Sequence, residues 1–277
     1  MPEALSAGAP SAGPARRHGI GALGWPVLAG LASGSLLLLV ALPLAALFFA
    51  SSPRDLLRGL ADPLVVPALR LTLLTSAASL LVILTGGTPL AWAIARRPTR
   101  GWRMLETLLE LPVVLPPAVA GVALLLAFGR RGLLGPALGA VGIGLPFSRA
   151  AVVLAQSFVA APFYLQAAVA AFRRLDPDLT LVARTLGASP ARVFFTIALP
   201  VSRPALASGA AMSWARALGE FGATLMFAGN MPGRTQTLPL AIYTALESDL
   251  RTAQSLSIIL VAVAFGLLIA VRAGARR

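Results

Sequence analysis

Six long apolar runs, each bounded by polar breaks and four of them free of charge, constrain this chain more than any other feature. A helix needs about 20 apolar residues to cross roughly 30 Å of hydrocarbon. The runs lie at about 25–50, 71–95, 105–128, 150–172, 201–227 and 255–271. Composition agrees, since only 12% of residues are charged, against about 25% in soluble domains. The expectation is an all-α integral membrane protein with six transmembrane helices. Residues 1–20 read as a disordered tail with no apolar period to offset ordering entropy, and residues 21–277 as one transmembrane domain. The first run exceeds the 7–15 residues of a secretory leader's apolar region, so it reads as a membrane helix rather than a cleaved segment.

Orientation follows from arginine. The 23 basic residues are all arginine, opposed by 10 acids, for a net charge of +13. With six crossings, both termini and the second-to-third and fourth-to-fifth connections share one side. That side carries Arg16, Arg17, Arg96, Arg97, Arg100, Arg103, Arg173, Arg174, Arg184, Arg192, Arg203, Arg272, Arg276 and Arg277. The other side carries half as many, and the excess of short-loop cations marks the cytoplasm. The arginines are separated by apolar runs rather than gathered on a polar face, which argues against nucleic acid.

The missing residues exclude chemistry. Without lysine there is no Walker A loop and no Schiff base. Without cysteine, and with His18 as the single histidine, thiolate nucleophiles, zinc sites and Ser–His or Cys–His dyads go too. No catalytic, metal-ligating or cofactor-binding residue is assigned, and the chain reads as a non-enzyme.

Residues 173–200 form the most patterned connection. Asp176 with Pro177, and Ser189 with Pro190, are two cap-and-proline starts for short helices. Leu179, Val182 and Leu186 give the first helix one apolar face, and Gly187 suits a left-handed end. Pro200 is expected to stop the second helix. The result is a cytoplasmic helix–turn–helix between the fourth and fifth spans, either a plain connector or a docking surface.

Within the fifth span, Gly209, Ser213, Arg216, Glu220 and Thr224 fall in an arc of roughly 80° at about 100° per residue. A charge at the bilayer centre costs at least about 2.5–3.5 kcal/mol. Arg216 and Glu220 therefore either pair with each other to seal a helix contact or face a translocation path. In the third span Pro112, Pro116 and Pro117 must kink or break the helix, which a membrane tolerates where neighbours or water satisfy the freed backbone groups. Interrupted helices of this kind commonly line transport sites.

The 173–200 segment resembles the E-A-A-x(3)-G-x(9)-I-x-L-P signature of bacterial ABC importer permeases, with Ala183, Gly187, Ile197, Leu199 and Pro200 on matching positions and Leu181 and Val182 where the signature has Glu and Ala. The run from Trp214 to Glu247, WARALGEFGATLMFAGNMPGRTQTLPLAIYTALE, and the run from Leu111 to Gly135 are similar to the molybdate permeases of bacteria. The likeness extends from about Leu69 to Arg272. It implies the permease subunit of an ATP-driven molybdate importer of the bacterial inner membrane, with both termini cytoplasmic. Ala183, Gly187, Ile197, Leu199 and Pro200 would then engage the ATPase, and Ser213, Arg216, Glu220, Thr224, Pro116 and Pro117 are the candidate translocation path. The implied partners are a second copy of the chain, two ATP-binding subunits, a periplasmic molybdate-binding protein and membrane lipid. Tungstate, or sulfate and thiosulfate, are the alternative cargoes. A secondary anion transporter is a weaker alternative, because the two halves show no convincing similarity. So few residues follow Val271 that no C-terminal regulatory domain is expected.

Overall fold

A computed structural model of the chain describes residues 21–49, 63–97 and 99–275. The expected tail at 1–20 lies outside them. All regular structure among the described residues is helical. The chain divides into two compact units, Met1–Ala50 and Ser51–Arg277. The described part of the first is a single helix, α1 (Gly21–Phe49), predominantly apolar, with most residues from 24 onward exposed.

The second unit is built around α6 (Arg149–Arg173). One side of α6 packs on α2 (Val65–Arg96) and another on α9 (Leu199–Leu218). Lipid tails are as apolar as leucine, so membrane helices associate through close packing and hydrogen bonds rather than through water release. The residues of α6 fit that demand: Ala151, Ala155, Ala160 and Ala168 are fully buried. Gly87 of α2 lies against Tyr164 and Leu165, and Gly209 of α9 lies against Ala167. Polar side chains then tie the helices together. The Ser79 hydroxyl donates to Gln156 Oε1 (3.0 Å), Thr88 and Tyr164 share a hydrogen bond of 2.6 Å, and the Ser213 hydroxyl donates to the Ala160 carbonyl (2.8 Å). The Trp214 indole donates to Ser76 Oγ (3.0 Å). Each such bond is worth on average about 0.6 kcal/mol in a membrane.

Among the described residues, five helices or helical runs are long and apolar enough to cross a membrane: Gly24–Phe49, Val65–Arg96, Arg149–Arg173, Pro190–Leu218 and Leu250–Val271. The third expected span differs from these. In place of one helix over 105–128, the chain forms α3 (Arg100–Val114) and α4 (Pro117–Phe128). Leu115 between them takes an extended conformation, φ −73° and ψ 131°, the region that a following proline favours. Twelve residues of α-helix rise only about 18 Å, so α4 alone is too short to span the bilayer.

A short α5 (Gly135–Ala140) precedes α6, and α7 (Pro177–Thr185) and α8 (Pro190–Val193) follow it. Pro200 does not end a helix, contrary to the sequence reading. From α8 the chain passes through one π-helical turn, Phe194–Ala198, directly into α9, and the Leu199 amide reaches back five residues to the Phe194 carbonyl. Pro200 follows directly in α9, so the proline, which gives no N–H to the ladder, lies just past the one irregular turn of an otherwise continuous helix. The chain then breaks at Gly219–Phe221, resumes as α10 (Gly222–Ala228), crosses a loop to α11 (Leu238–Ser248), and ends in α12 (Leu250–Ala275).

A Cβ placed on Gly209 would sit 2.6 Å from the Ala167 Cβ, whereas one on Gly266 of α12 meets nothing within 4 Å. Gly209→Val is expected to lower stability by about 1–3 kcal/mol through overpacking, and Gly266→Val by much less. Thermal unfolding of the two variants side by side in the same detergent checks this.

Candidate translocation and coupling sites

The break at residues 219–221 is where the charged pair acquires its role. Gly219 lacks a side chain to hold the helix, and α9 ends there. Glu220, only 1% exposed, turns its Oε1 to accept the Ala223 amide (2.8 Å), one of the free N–H groups that open α10. Its Oε2 lies 2.7 Å from Arg216 Nη2, whose side chain is 30% exposed. One carboxylate thus caps α10 and neutralises a cation on α9, and both charges become tolerable at membrane depth.

Around this break α10 packs on α4. The approach is tight: a Cβ on Gly222 would collide with the Pro117 ring, and one on Gly121 would come within 2.5 Å of Met226 Cβ. Two helical segments, each adjoining a break, therefore lie side by side. Ser213 is buried against α6, where it donates to the Ala160 carbonyl, while Glu220 and Thr224 are buried at the break and on α10, all three facing the chain's own helices rather than an open surface. Arg216 is half-buried, and Pro116 and Pro117 are exposed. The expected polar stripe is accordingly divided, with its serine, glutamate and threonine inside and its arginine reaching outward.

At the other end of α9 lies the segment that resembles the importer signature. Asp176 Oδ1 accepts the Asp178 amide (2.9 Å) at the start of α7, and Ser189 Oγ accepts the Arg192 amide (3.2 Å) at the start of α8. The end of α7 explains the signature's spacing. Gly187 sits at φ +85°, its amide donates to the Arg184 carbonyl, and the Ala188 amide donates to the Ala183 carbonyl, both at 3.0 Å. This is the Schellman arrangement, in which the residue four positions after the accepting residue must be left-handed. Ala183 is half-buried and Gly187 exposed; Ile197, Leu199 and Pro200 are half-buried on the continuous helix. Leu179, Leu181, Val182, Leu186 and Phe195 are exposed, leaving an apolar surface on this connection.

The structure adds residues that the sequence did not single out. Phe194 of the π turn meets Trp92 of α2 at 5.6 Å between centroids and Phe172 of α6 at 6.1 Å, while Trp92 and Phe172 pack edge to face at 5.3 Å. Arg96 covers the outer face of Trp92 at 4.4 Å. Arg173 pairs with both oxygens of Glu106 (2.8 and 2.7 Å), tying α6 to α3. The signature segment is thus braced directly on the bundle. A cleft of about 430 Å³ beside it, between the end of α6 and the first half of α9, is lined by four alanines, Leu175, Val201, Ser202, Ser208 and Arg174.

These features define a multi-pass membrane protein with broken helices and an apolar connection braced on its core. The family described as the binding-protein-dependent transport system inner membrane component matches residues 87–275, and the chain belongs to that family. It is 44% identical over 239 residues to the molybdenum transport system permease protein ModB of Mycobacterium tuberculosis, covering 86% of this chain and 88% of that one. It is 36% identical over 244 residues to the molybdate/tungstate transport system permease protein WtpB of Pyrococcus abyssi, covering 87% and 92%. In fold it matches a crystal structure of a bacterial ABC transporter that imports the acidic polysaccharide alginate, with TM-score 0.74 at 18% identity over 91% of this chain and 96% of that one.

Glu220→Ala removes both the cap and the counter-ion and is expected to cost about 2–3 kcal/mol, below the usual range for a fully buried pair because Arg216 is partly solvated. Glu220→Gln keeps an oxygen for the Ala223 amide and should cost less. Unfolding midpoints of the two variants test the order; equal losses would remove the capping role.

Proposed function

We propose that this chain is the permease subunit of an ATP-driven importer that carries molybdate across the bacterial inner membrane. The observation that carries the reading is the near-complete coverage of ModB relatives at 44% identity, joined to a connection with the geometry that the importer signature requires.

Energetics demand a partner. Two negative charges entering a cell that is negative inside cost about 2.3 kcal/mol per charge per 100 mV, before any concentration gradient. The chain has no lysine and so no Walker A loop. ATP hydrolysis therefore belongs to a separate subunit, two copies of which dock on the exposed apolar surface of the 173–200 connections of a homodimer. A periplasmic molybdate-binding protein delivers the anion, and the termini lie in the cytoplasm.

In this mechanism closure of the ATPases moves α7 and α8. The π turn passes that movement on, because Phe194 is wedged against Trp92 and Phe172 and the helix runs unbroken from Pro190 to Leu218. The displacement reaches the break at Gly219, where α10 and α4 shift together. The path runs along the surface carrying Pro116, Pro117 and Arg216, with Ser213, Glu220 and Thr224 holding it from behind. Arg216 supplies positive potential to a dianion, and Glu220 limits it so that the anion can leave. The Ala/Ser cleft beside Arg174 serves as the inner vestibule, its small side chains offering an anion few groups on which to lodge.

Tungstate is the nearest alternative cargo, because it matches molybdate in charge and size. The test reconstitutes the chain with its ATPase and binding protein in lipid vesicles and compares ATP hydrolysis with each anion. Stimulation by molybdate and tungstate but not sulfate is expected, and equal stimulation by sulfate would overturn the cargo. Gly187→Val places a branched residue at positive φ, a cost of about 1–2 kcal/mol, and is expected to weaken ATPase co-purification and lower stimulated hydrolysis.

A further inference from the structure

Away from the path and the ATPase surface, a cleft of about 460 Å³ opens between the first turns of α2 and α6. Val66, Leu74 and Val153 are among its apolar walls, and two guanidinium groups, Arg70 and Arg149, line it with no acidic residue. Arg70 has no hydrogen-bond or ion-pair partner among the described residues. Arg149 donates to the Gly233 carbonyl (3.2 Å), and its other N–H groups, of five in a guanidinium, have no partner among the described residues.

The position of these arginines along their helices is informative. Arg70 and Arg96 are 26 residues apart on α2, and Arg149 and Arg173 are 24 apart on α6. At 1.5 Å per residue the separations are about 39 and 36 Å, close to the 40–45 Å between headgroup layers. Arg96 and Arg173 are engaged by Trp92 and Glu106. Arg70 and Arg149 therefore sit together at the opposite headgroup level without a counter-ion among the described residues. Arg149 is also the first residue of α6, the positive end of the helix dipole, where a cation is disfavoured unless an anion joins it.

We propose that this cleft binds an anionic phospholipid, with its phosphate between Arg70 and Arg149 and an acyl chain along Leu74 and Val153. The cleft is amphiphilic in the same sense as the lipid: cationic at headgroup depth and apolar toward the bilayer interior. Guanidinium forks suit phosphate oxygens. The bound headgroup also fixes Arg149, and through it the Gly233 carbonyl in the loop between α10 and α11, so the site steadies one wall of the broken-helix region.

Native mass spectrometry of the delipidated full-length chain, titrated with phosphatidylglycerol or phosphatidylcholine, tests the proposal. One tightly retained phosphatidylglycerol per chain is expected. Arg70→Gln and Arg149→Gln should each weaken it about tenfold, while Arg70→Lys restores most of the affinity and Arg100→Gln changes nothing. Displacement of the lipid by millimolar inorganic phosphate would reassign the site to a free oxyanion and overturn the proposal. A photo-crosslinking residue in place of Leu74, which leaves both arginines intact, should label phosphatidylglycerol in nanodiscs. Labelling of a second protein chain instead, or unchanged lipid affinity in Arg70→Gln and Arg149→Gln, would likewise overturn it.

Discussion

Every backbone N–H and C=O at membrane depth must find a partner inside the protein, because hydrocarbon offers none. A helix can be broken there only if the groups that the break frees are taken up again. At Gly219–Phe221 the Glu220 carboxylate does this for the first turn of α10, and Arg216 holds that carboxylate in place. Around Pro116 the ring removes one donor outright, and the Ala120 amide returns to the Pro116 carbonyl at 3.0 Å. The two breaks then pack side by side because Gly121 and Gly222 remove the Cβ atoms that would hold them apart. The ends freed by breaking two helices become the part of the bundle best suited to move.

The same economy links that region to the connection at 173–200. A π turn in place of a helix end makes α8 and α9 mechanically one rod, 29 residues from Pro190 to Leu218. The rod is clamped near one end by Trp92, Phe172 and Phe194, and it terminates at the Glu220 break at the other. In the proposed mechanism, an input at the exposed apolar surface of the connection is delivered about 40 Å away along this element. Small residues let the rod lie close to α6, as where Gly209 meets Ala167, while Tyr164 and Phe172 of α6 pack in one core with Leu206 and Phe194 of the rod.

Much of this was legible in the sequence, for identifiable reasons. The helices α2, α6 and α12 announce themselves by apolar length, and their arginine ends by charge. The interruption in the third span was readable because the adjacent Pro116 and Pro117 remove two successive N–H donors and push Leu115 out of the helical region, although Pro112 lies inside α3 without a break. Gly187 was readable because its left-handed turn is local. Pro200 misled because a proline's effect depends on the register of the turn before it, and the π turn at Phe194–Ala198 has no composition of its own. Glu220 was visible as a costly charge and as a partner for Arg216, but its role as a cap depends on where α9 ends, which Gly219 alone does not decide. The contact of Trp92, Phe172 and Phe194 joins residues 22 to 102 positions apart in the chain and leaves no trace in local pattern.

The central claim is that this bundle moves a dianion inward at the expense of ATP hydrolysed by a subunit docked on residues 173–200. Uptake of radiolabelled molybdate into vesicles holding the assembled transporter tests it most directly, with the binding protein outside and ATP inside. The account predicts accumulation above the external concentration that requires ATP and persists when sodium and proton gradients are collapsed. Accumulation that follows either ion gradient and ignores ATP would contradict it and would make the chain a secondary transporter.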